Sequence, residues 1–412
     1  MHVVLIHQSF VGPGEPGGTR HFELASRWVR EGHEFTIVTG DCNVLTGDRL
    51  VNRRRETRDG VRIFRTYTFR SLHKSFVWRV LSFLSFMVTS VWGAWRAGPV
   101  DLVMGTSPPL FQGCSAWLIS VLRRRPFLLE IRDLWPEFAI DIGVLTNPLL
   151  IAMARWLERF LYARADHLLV NSPAYRDYLI EHGVPAAKVS LIANGADPEM
   201  FHPDKTGAEF RGRWNLDGKF VVTYAGAMGL ANDIPTILRA ARRLKEDDSV
   251  HFVLAGDGKE RKNNQRLAEE LELTNVTYVG TVAKEKMAEL LAASDACVAT
   301  LKDIPMFRTT YPNKVFDYMA AGRPIVLGID GVIRQVVENA GGGIFVPPGN
   351  DEKLAAAVLR LKDDPQAARQ MGREGREHVV EYFNREHQAQ EFVLLIEHLA
   401  RGESEPVTAS VG

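Results

Sequence analysis

Short apolar runs, each closed by Gly, Pro, Asn or Asp, alternate along the chain with segments whose apolar residues recur every three or four positions. The first half carries HVVLIH, EFTIVTG, DLVMGTS, PFLLEIRD, DHLLVNS and KVSLIANG, with a helical pattern over TRHFELASRWVREG after the first of them. The alternation restarts with FVVTYAG, VHFVLAGDG, VTYVG, ACVATL, PIVLGI and GGIFVPP. Near-continuous apolar strands separated by helices predict parallel sheets covered on both faces. Two such series predict an α/β chain of two Rossmann-like, doubly wound parallel-sheet domains facing a central cleft, with ligands outside the carboxyl ends of the strands. A polar, Pro- and Gly-bearing stretch at about 196–217 separates the series. The expected domains are therefore 1–200 and 201–385. The last helical region breaks near YFNREH, so 386–402 is expected to pack back on the first domain and 403–412 to be a disordered tail.

One segment departs from the alternation. Between Ser75 and Arg96 only Arg79 is charged, and the polar or small positions 79, 82, 85, 89, 93 and 96 leave a broad apolar helix face. About 20 apolar residues suffice to span a bilayer. The polar stripe and the strand that follows at DLVMG favour a helix of the first domain instead, either buried or resting on a membrane surface.

At 412 residues the chain exceeds one ordinary core, in keeping with two domains. Net charge is zero, yet residues 1–130 hold 17 Lys/Arg against 10 Asp/Glu. A basic front suits an anionic partner such as phospholipid or a phosphorylated substrate. Cys42, Cys114 and Cys297 are odd in number and far apart, which argues against a disulfide framework or a zinc site and for a reducing cytosol.

Four places have the composition of ligand sites. Gly12, Gly14 and Gly17 have G-x-G-x-x-G spacing, but the first comes late after the strand and Pro13 and Pro16 stiffen the turn, so a dinucleotide fingerprint is not supported. What remains is Gly17 and Gly18 ahead of a helix, where backbone N–H groups approach an anion. Arg132 and Asp133 end a strand at its carboxyl side. The carboxylate there is a candidate proton acceptor and the arginine a phosphate ligand; the alternative is an Arg–Asp pair that organises the loop. Gly226 and Gly229, then Gly256 and Gly258, follow strands of the second series and permit close backbone approach. In FRTTYPNKVFDYMAAGRPIV (307–326), Pro312 opens a helix whose first turn holds Asn313 and Lys314. A lysine opposing the helix dipole makes sense beside a diphosphate, and Asp317 one turn on suits a ribose diol; otherwise the two simply pair at i, i+3.

The stretches GGTRHFELASRWVREGHEFTIVT, IRDLWPE, LIANGADPEMFHP, LAGDGKER and PNKVFDYMAAGRPIV together resemble the retaining GT-B glycosyltransferases of family four. RDLWP and PNK resemble its fucosamine-transferase-like branch, which builds bacterial surface polysaccharides. The resemblance implies sugar transfer from a nucleotide donor, UDP-linked, to a lipid-linked or saccharide acceptor, with no metal and no resident cofactor; no D-x-D motif is present. It also implies a cytoplasmic protein, peripheral on the inner membrane, with no nucleic-acid partner. The family's paired glutamates align with Thr309 and Asp317, so the first carboxylate is missing. Its diphosphate-binding Arg and Lys align with Ala227 and Asn232. By charge balance Lys314, joined by Arg308, is then expected to supply the positive charge. The catalytic set expected is Asp133, Arg132 and Lys314, and the substrate set Gly17, Gly18, Gly226, Gly229, Gly256, Gly258, Arg308, Thr309, Asn313 and Asp317. A nucleotide-sugar epimerase and a non-catalytic nucleotide-sugar binder are the competing readings.

Overall fold

The computed structural model describes residues 1–12, 15, 18–42, 49, 54–70, 76–202 and 205–402. The expectations placed on Gly17 and on the 403–412 tail lie outside these. The described residues form two compact units, one of 1–12, 19–193 and 386–402, the other of 15, 18, 194–202 and 205–385. The chain changes unit at 193/194, ahead of the polar stretch, because the residues that follow bind the second unit. Asn194 Nδ2 donates to the Tyr311 carbonyl at 2.7 Å, and Ala196 bridges Asn384.

The first unit is built on an eight-stranded sheet. Its strands are β1 (His2–Ile6), β2 (Glu34–Gly40), β3 (Arg55–Arg58), β4 (Val61–Thr66), β5 (Leu102–Ser107), β6 (Phe127–Ile131), β7 (His167–Val170) and β8 (Val189–Leu191). They lie in the order β3-β4-β2-β1-β5-β6-β7-β8, and only the β3/β4 pair is antiparallel. The order reverses between β1 and β5, which makes their carboxyl ends the crevice of the sheet. The β3/β4 pair is absent from the reading by apolar runs. VRIFRT begins with alternating buried and half-buried residues, as a strand with one covered face does, and Arg65 reaches Glu56 on the edge strand β3 at 2.9 Å.

The Phe76–Trp95 helix packs against β2, β4 and the Leu110–Arg123 helix, and it is turned inside out. Its polar and small stripe faces the unit: Ser82 and Ser90 are buried, Gln8 Nε2 donates to Ser82 Oγ at 3.2 Å, and Thr89 Oγ1 donates to the Tyr67 carbonyl at 2.7 Å. Gly93 is required, since a Cβ there would lie 2.6 Å from Thr66 Cγ2 and 2.9 Å from Val38 Cγ1. The apolar stripe faces outward, with Val88 67% and Trp92 62% exposed.

In the second unit β9 (Phe220–Ala225), β10 (Val250–Ala255), β11 (Val276–Gly280), β12 (Ala296–Thr300), β13 (Ile325–Gly328) and β14 (Gly343–Phe345) form a sheet. The order is β11-β10-β9-β12-β13-β14 and every pair is parallel. Its reversal falls between β9 and β12. The helical region after 364 breaks into Pro365–Tyr382 and Arg385–Arg401. The second of these sets Ala389, Phe392, Leu395 and Ile396 into the core of the first unit with Leu5, Phe35 and Leu128, while Arg27 bonds Glu386.

The carboxyl-terminal helix is thus a core element of the first unit. Phe392→Ala is expected to lower stability by about 3–5 kcal/mol, read as the shift in a urea melt followed by the fluorescence of buried Trp28. A shift below about 1 kcal/mol would show that the helix is only laid on the surface.

Candidate functional site

The first unit gathers charge at the carboxyl ends of β1 and β6. Glu130, within β6, is fully buried. Arg20 Nε donates to its carboxylate at 3.2 Å, and His21 Nε2 bonds the other oxygen. Burial alone would raise the Glu130 pKa, but His21, Arg20 and Arg132 hold it well below the usual carboxylate range. Arg20 also donates to the carbonyls of Ala193 at 2.8 Å and Ile192 at 2.7 Å. His7, directly after β1, lies edge-on to His21 with centroids 4.5 Å apart. Desolvation, reinforced by His21 and Arg132, pulls its pKa well down, so the ring is neutral near pH 7, and its Nδ1 is buried without a hydrogen-bond partner.

Arg132 and Asp133 follow Glu130 on the same strand end, as the sequence implied. Arg132 donates its backbone N–H to the Ser107 carbonyl at 3.0 Å, which ties it to β5. Desolvation pushes the Asp133 pKa up to about 6, against the opposing pull of Arg132 and of a hydrogen bond with Tyr175. That is a carboxylate ionised at neutral pH yet basic enough to take a proton. His7, His21, Glu130 and Tyr175 were missed. The available signal was Glu130 itself, a lone charge inside the apolar run FLLEI.

The second unit builds its site from the turns after β9 and β10 and from the Asn313–Ala320 helix. That helix buries Val315, Phe316, Met319 and Ala320. Its Tyr318 hydroxyl, also buried, accepts from the Ala225 amide at 2.8 Å, locking the helix to the end of β9. The helix starts after Pro312 with no capping side chain, leaving its first amides for a ligand. Lys314 Nζ donates to Tyr224 Oη at 2.7 Å and to Asn232 Oδ1 at 3.2 Å and lies 4.1 Å above the Tyr224 ring. Tyr224 in turn donates to the Ala227 carbonyl at 2.6 Å. The amine therefore reaches both positions where the resemblance implies cations, Asn232 directly and Ala227 through Tyr224. Asn313 Oδ1 is buried with no hydrogen-bond partner, and a Cβ on Gly18 would meet Asn313 Nδ2 at 3.9 Å.

Several expectations change. Asp317 does not pair with Lys314; Lys284 Nζ bonds it at 2.7 Å, because the Lys314 amine is drawn to Tyr224 on the far side. A ribose role for Asp317 would have to share the carboxylate with Lys284, which sequence reading missed for want of any local signal. Arg308 pairs with Asp303 at 3.0 Å on the surface and is not a bare cation. The Thr309 hydroxyl donates back to the Met306 carbonyl at 2.6 Å, as expected of a residue in a tight turn. Gly226 makes room for the site's lysine, since a Cβ there would lie 2.8 Å from Lys314 Nζ, whereas Gly256 and Gly258 serve the meeting of two turns. A Cβ on Gly256 would lie 1.8 Å from the Gly226 carbonyl oxygen, and one on Gly258 2.5 Å from that of Met228. Gly229 has only an ordinary contact, 3.6 Å from Asn232 Nδ2. The helix after Gly18 already carries a carboxylate in its first turn, Glu23, hydrogen-bonded by Thr19 Oγ1.

Both units carry the wound parallel sheet with a polar crevice at the switch point, which defines the class: a two-unit α/β chain of GT-B architecture. A sucrose-phosphate synthase from Thermosynechococcus elongatus shares the fold at TM-score 0.77 and 22% identity, over 98% of this chain and 100% of that one. HepE from Anabaena, solved with UDP-glucose, does so at TM-score 0.73 and 18% identity, over 96% and 99%. The family model "Glycosyl transferase 4-like domain" matches residues 17–195 and "Glycosyl transferases group 1" residues 208–378. Each unit thus matches a glycosyltransferase domain model, and the two matches together span most of the chain. Among curated proteins, alpha-D-kanosaminyltransferase of Streptomyces kanamyceticus is 27% identical over 53% of this chain and 57% of its own length. WcaI of Escherichia coli, named for colanic acid biosynthesis, is 22% identical over 82% and 86%. The chain spans a little over half the length of most of the curated relatives it matches.

Desolvation pulls the Lys314 pKa down to about 7. A diphosphate beside the amine restores its charged form, so binding takes up a proton. Affinity for UDP is then expected to be highest below pH 7 and to fall as pH rises, approaching about tenfold per unit between about pH 7 and 9. Calorimetry across that range checks this, with Lys314→Met as the weak, flat control. A flat wild-type profile would remove Lys314 from the anion site.

Proposed function

We propose that the chain is a retaining, metal-independent glycosyltransferase that moves a hexosyl unit from a UDP-linked donor to a lipid-linked or saccharide acceptor in bacterial surface polysaccharide synthesis. The observation that carries this is the placement of the Lys314 amine at Asn232 and, through Tyr224, at Ala227, where family members are expected to hold the diphosphate. The Asn313–Ala320 helix N-terminus, which no side chain caps, lies at the same place. The likeness to HepE, solved with UDP-glucose, and to WcaI, named for colanic acid biosynthesis, supports the donor and pathway class. A cytoplasmic setting at the inner membrane face belongs to the same reading, supported by the basic first unit and the outward apolar face of the Phe76–Trp95 helix.

In this reaction the second unit lowers the barrier by electrostatics. Charge develops on the leaving diphosphate as the glycosidic bond breaks, and a preorganised ammonium with helix amides stabilises it more than it stabilises the intact donor. The first unit supplies Asp133, which takes the acceptor hydroxyl proton; Arg132 keeps the carboxylate ionised and is available to an acceptor phosphate. Attack on the face that the diphosphate leaves retains the anomeric configuration; a departing diphosphate oxygen is the alternative to Asp133 as acceptor of that single proton. Thr309 puts no carboxylate against the donor sugar, which favours a non-catalytic binder as the second reading; an epimerase is the third.

Incubation with a panel of nucleotide sugars separates the three. Slow release of free nucleotide supports transfer, an isomerised donor the epimerase, and tight binding with neither product the binder. In a variant shown to be folded, Lys314→Ala is expected to lower turnover at least about 100-fold. Because Asp133 acts as the base only when ionised, kcat/KM should drop as pH falls through about 6. Near-normal turnover in Lys314→Ala, or no acid limb, would remove that residue from its role.

A further inference from the structure

Three helices of the first unit turn apolar side chains to the outside around a cleft of about 620 Å³. Its walls are Phe83 and Leu84 from the Phe76–Trp95 helix, Phe111 from the Leu110–Arg123 helix, Met153 and Trp156 from the Pro148–Arg164 helix, and Trp135 after β6. Met153 is 57% and Trp156 62% exposed. So contiguous an apolar surface is unusual on a soluble protein and marks a site of contact. The volume lies within the about 300–1,000 Å³ of ordinary ligand sites, yet every residue that lines it is apolar.

Charge around the cleft is mostly positive, although Glu137, which follows Trp135, neutralises Arg155 through two bonds at 2.7 and 3.0 Å. The exposed or half-exposed charged residues of the three helices are Arg79, Arg123, Arg155, Arg159 and Arg164, and their one carboxylate, Glu158, is buried. Arg96 and Arg123 lie over the rings of Trp92 and Trp95, at 4.2 and 4.0 Å. Exposed tryptophans rimmed by arginines suit the headgroup level of an anionic bilayer. A second copy of the chain fits badly, because a two-fold interface would set the same arginines against one another. The inside-out helix points the same way. It meets the length and composition needed to cross a bilayer, with only 28% of it buried, yet its polar stripe is spent on bonds within the unit. That arrangement fits a helix lying along a membrane rather than through it.

We propose that this face docks on an anionic bilayer and that the cleft takes the hydrocarbon chain of an anionic lipid. The proposal deepens the lipid-linked acceptor reading, on which it rests for its purpose: a chain held there would bring the acceptor out of the bilayer by its tail.

The test uses the full-length protein and phosphatidylglycerol vesicles whose acyl chains are brominated, since bromine quenches tryptophan only at close contact. The wild type is expected to co-sediment with these vesicles, to bind phosphatidylcholine vesicles at least about tenfold more weakly, and to lose fluorescence, with Trp156→Phe removing a distinct share of the quenching. Met153→Glu, at an exposed position the fold does not need, is expected to abolish that share. Absence of vesicle binding, equal binding to neutral vesicles, or quenching unchanged in Met153→Glu would each overturn the proposal. So would a dimer in sedimentation velocity without vesicles that Met153→Glu dissociates. UDP binding, measured alongside on every variant, keeps the two readings apart: its absence in the wild type counts against the glycosyltransferase reading and leaves the vesicle result standing.

Discussion

A carboxylate sealed from water, Glu130 in the middle of β6, is the constraint on which the working face of the first unit depends. An unpaired buried charge is untenable, and breaking a buried pair costs about 3–5 kcal/mol. Glu130 is therefore obliged to keep Arg20 and His21, the first two residues of the helix after β1, in fixed positions. Arg20 spends its remaining donors on the carbonyls of Ile192 and Ala193. One buried charge thus fixes a helix start, a central strand and the chain's exit from the sheet. Arg132 and Asp133 are two and three residues further along the same strand end, so their placement inherits that rigidity. His7 is neutral and packed on His21, and it walls the cluster without adding charge.

The second unit handles a buried charge in the opposite way. Lys314 has no carboxylate among its contacts, only a phenol, an amide oxygen and an aromatic face. Its ammonium is left poorly solvated and its pKa falls to about 7. Such a group gains more from an arriving anion than a lysine already paired, because the ligand supplies the missing counter-charge. Pairing Asp317 with Lys284 serves the same end, since a carboxylate one turn away would otherwise neutralise Lys314. The first unit holds its charges in balance, whereas the second leaves one to be completed.

Much of this was legible in the sequence. Apolar runs of strand length located twelve of the fourteen strands among the described residues, since parallel strands covered on both faces leave an unmistakable pattern. The β3/β4 pair escaped because an edge hairpin alternates, and arginines at 62 and 65 break its apolar run. FRTTYPNKVFDYMAAGRPIV gave its helix, its buried face and its key lysine, because helix starts and stops are written locally. The partners of these residues were not legible. Tyr224 reads as a core aromatic, Lys284 as a solvated helix residue, and Arg20 and His21 as one face of an amphipathic helix. Each acquires its role from a residue 33 to 110 positions away, and local pattern carries no information on that. The glycines mislead for a related reason. A strand–glycine–helix turn looks the same whether a ligand or another turn approaches it, and at Gly256 and Gly258 it is another turn.

The Phe76–Trp95 helix shows where periodicity stops short. Its stripe of Ser, Thr and Gly is visible in the sequence, but the period says nothing about which side meets the sheet. Packing decides that. Small residues let the helix approach β2 and β4 closely, as Gly93 shows against Thr66 and Val38, and the Ser85 and Thr89 hydroxyls satisfy the Phe69 amide and the Tyr67 carbonyl. With the small stripe inward, Phe86 shares the buried side, while Leu81, Leu84, Val88, Trp92 and Trp95 are left on the outside. In water that exposure is a standing liability for association. The surrounding arginines oppose self-association through this face while favouring an anionic apolar surface, so one distribution of charge restrains the wrong contact and invites the right one.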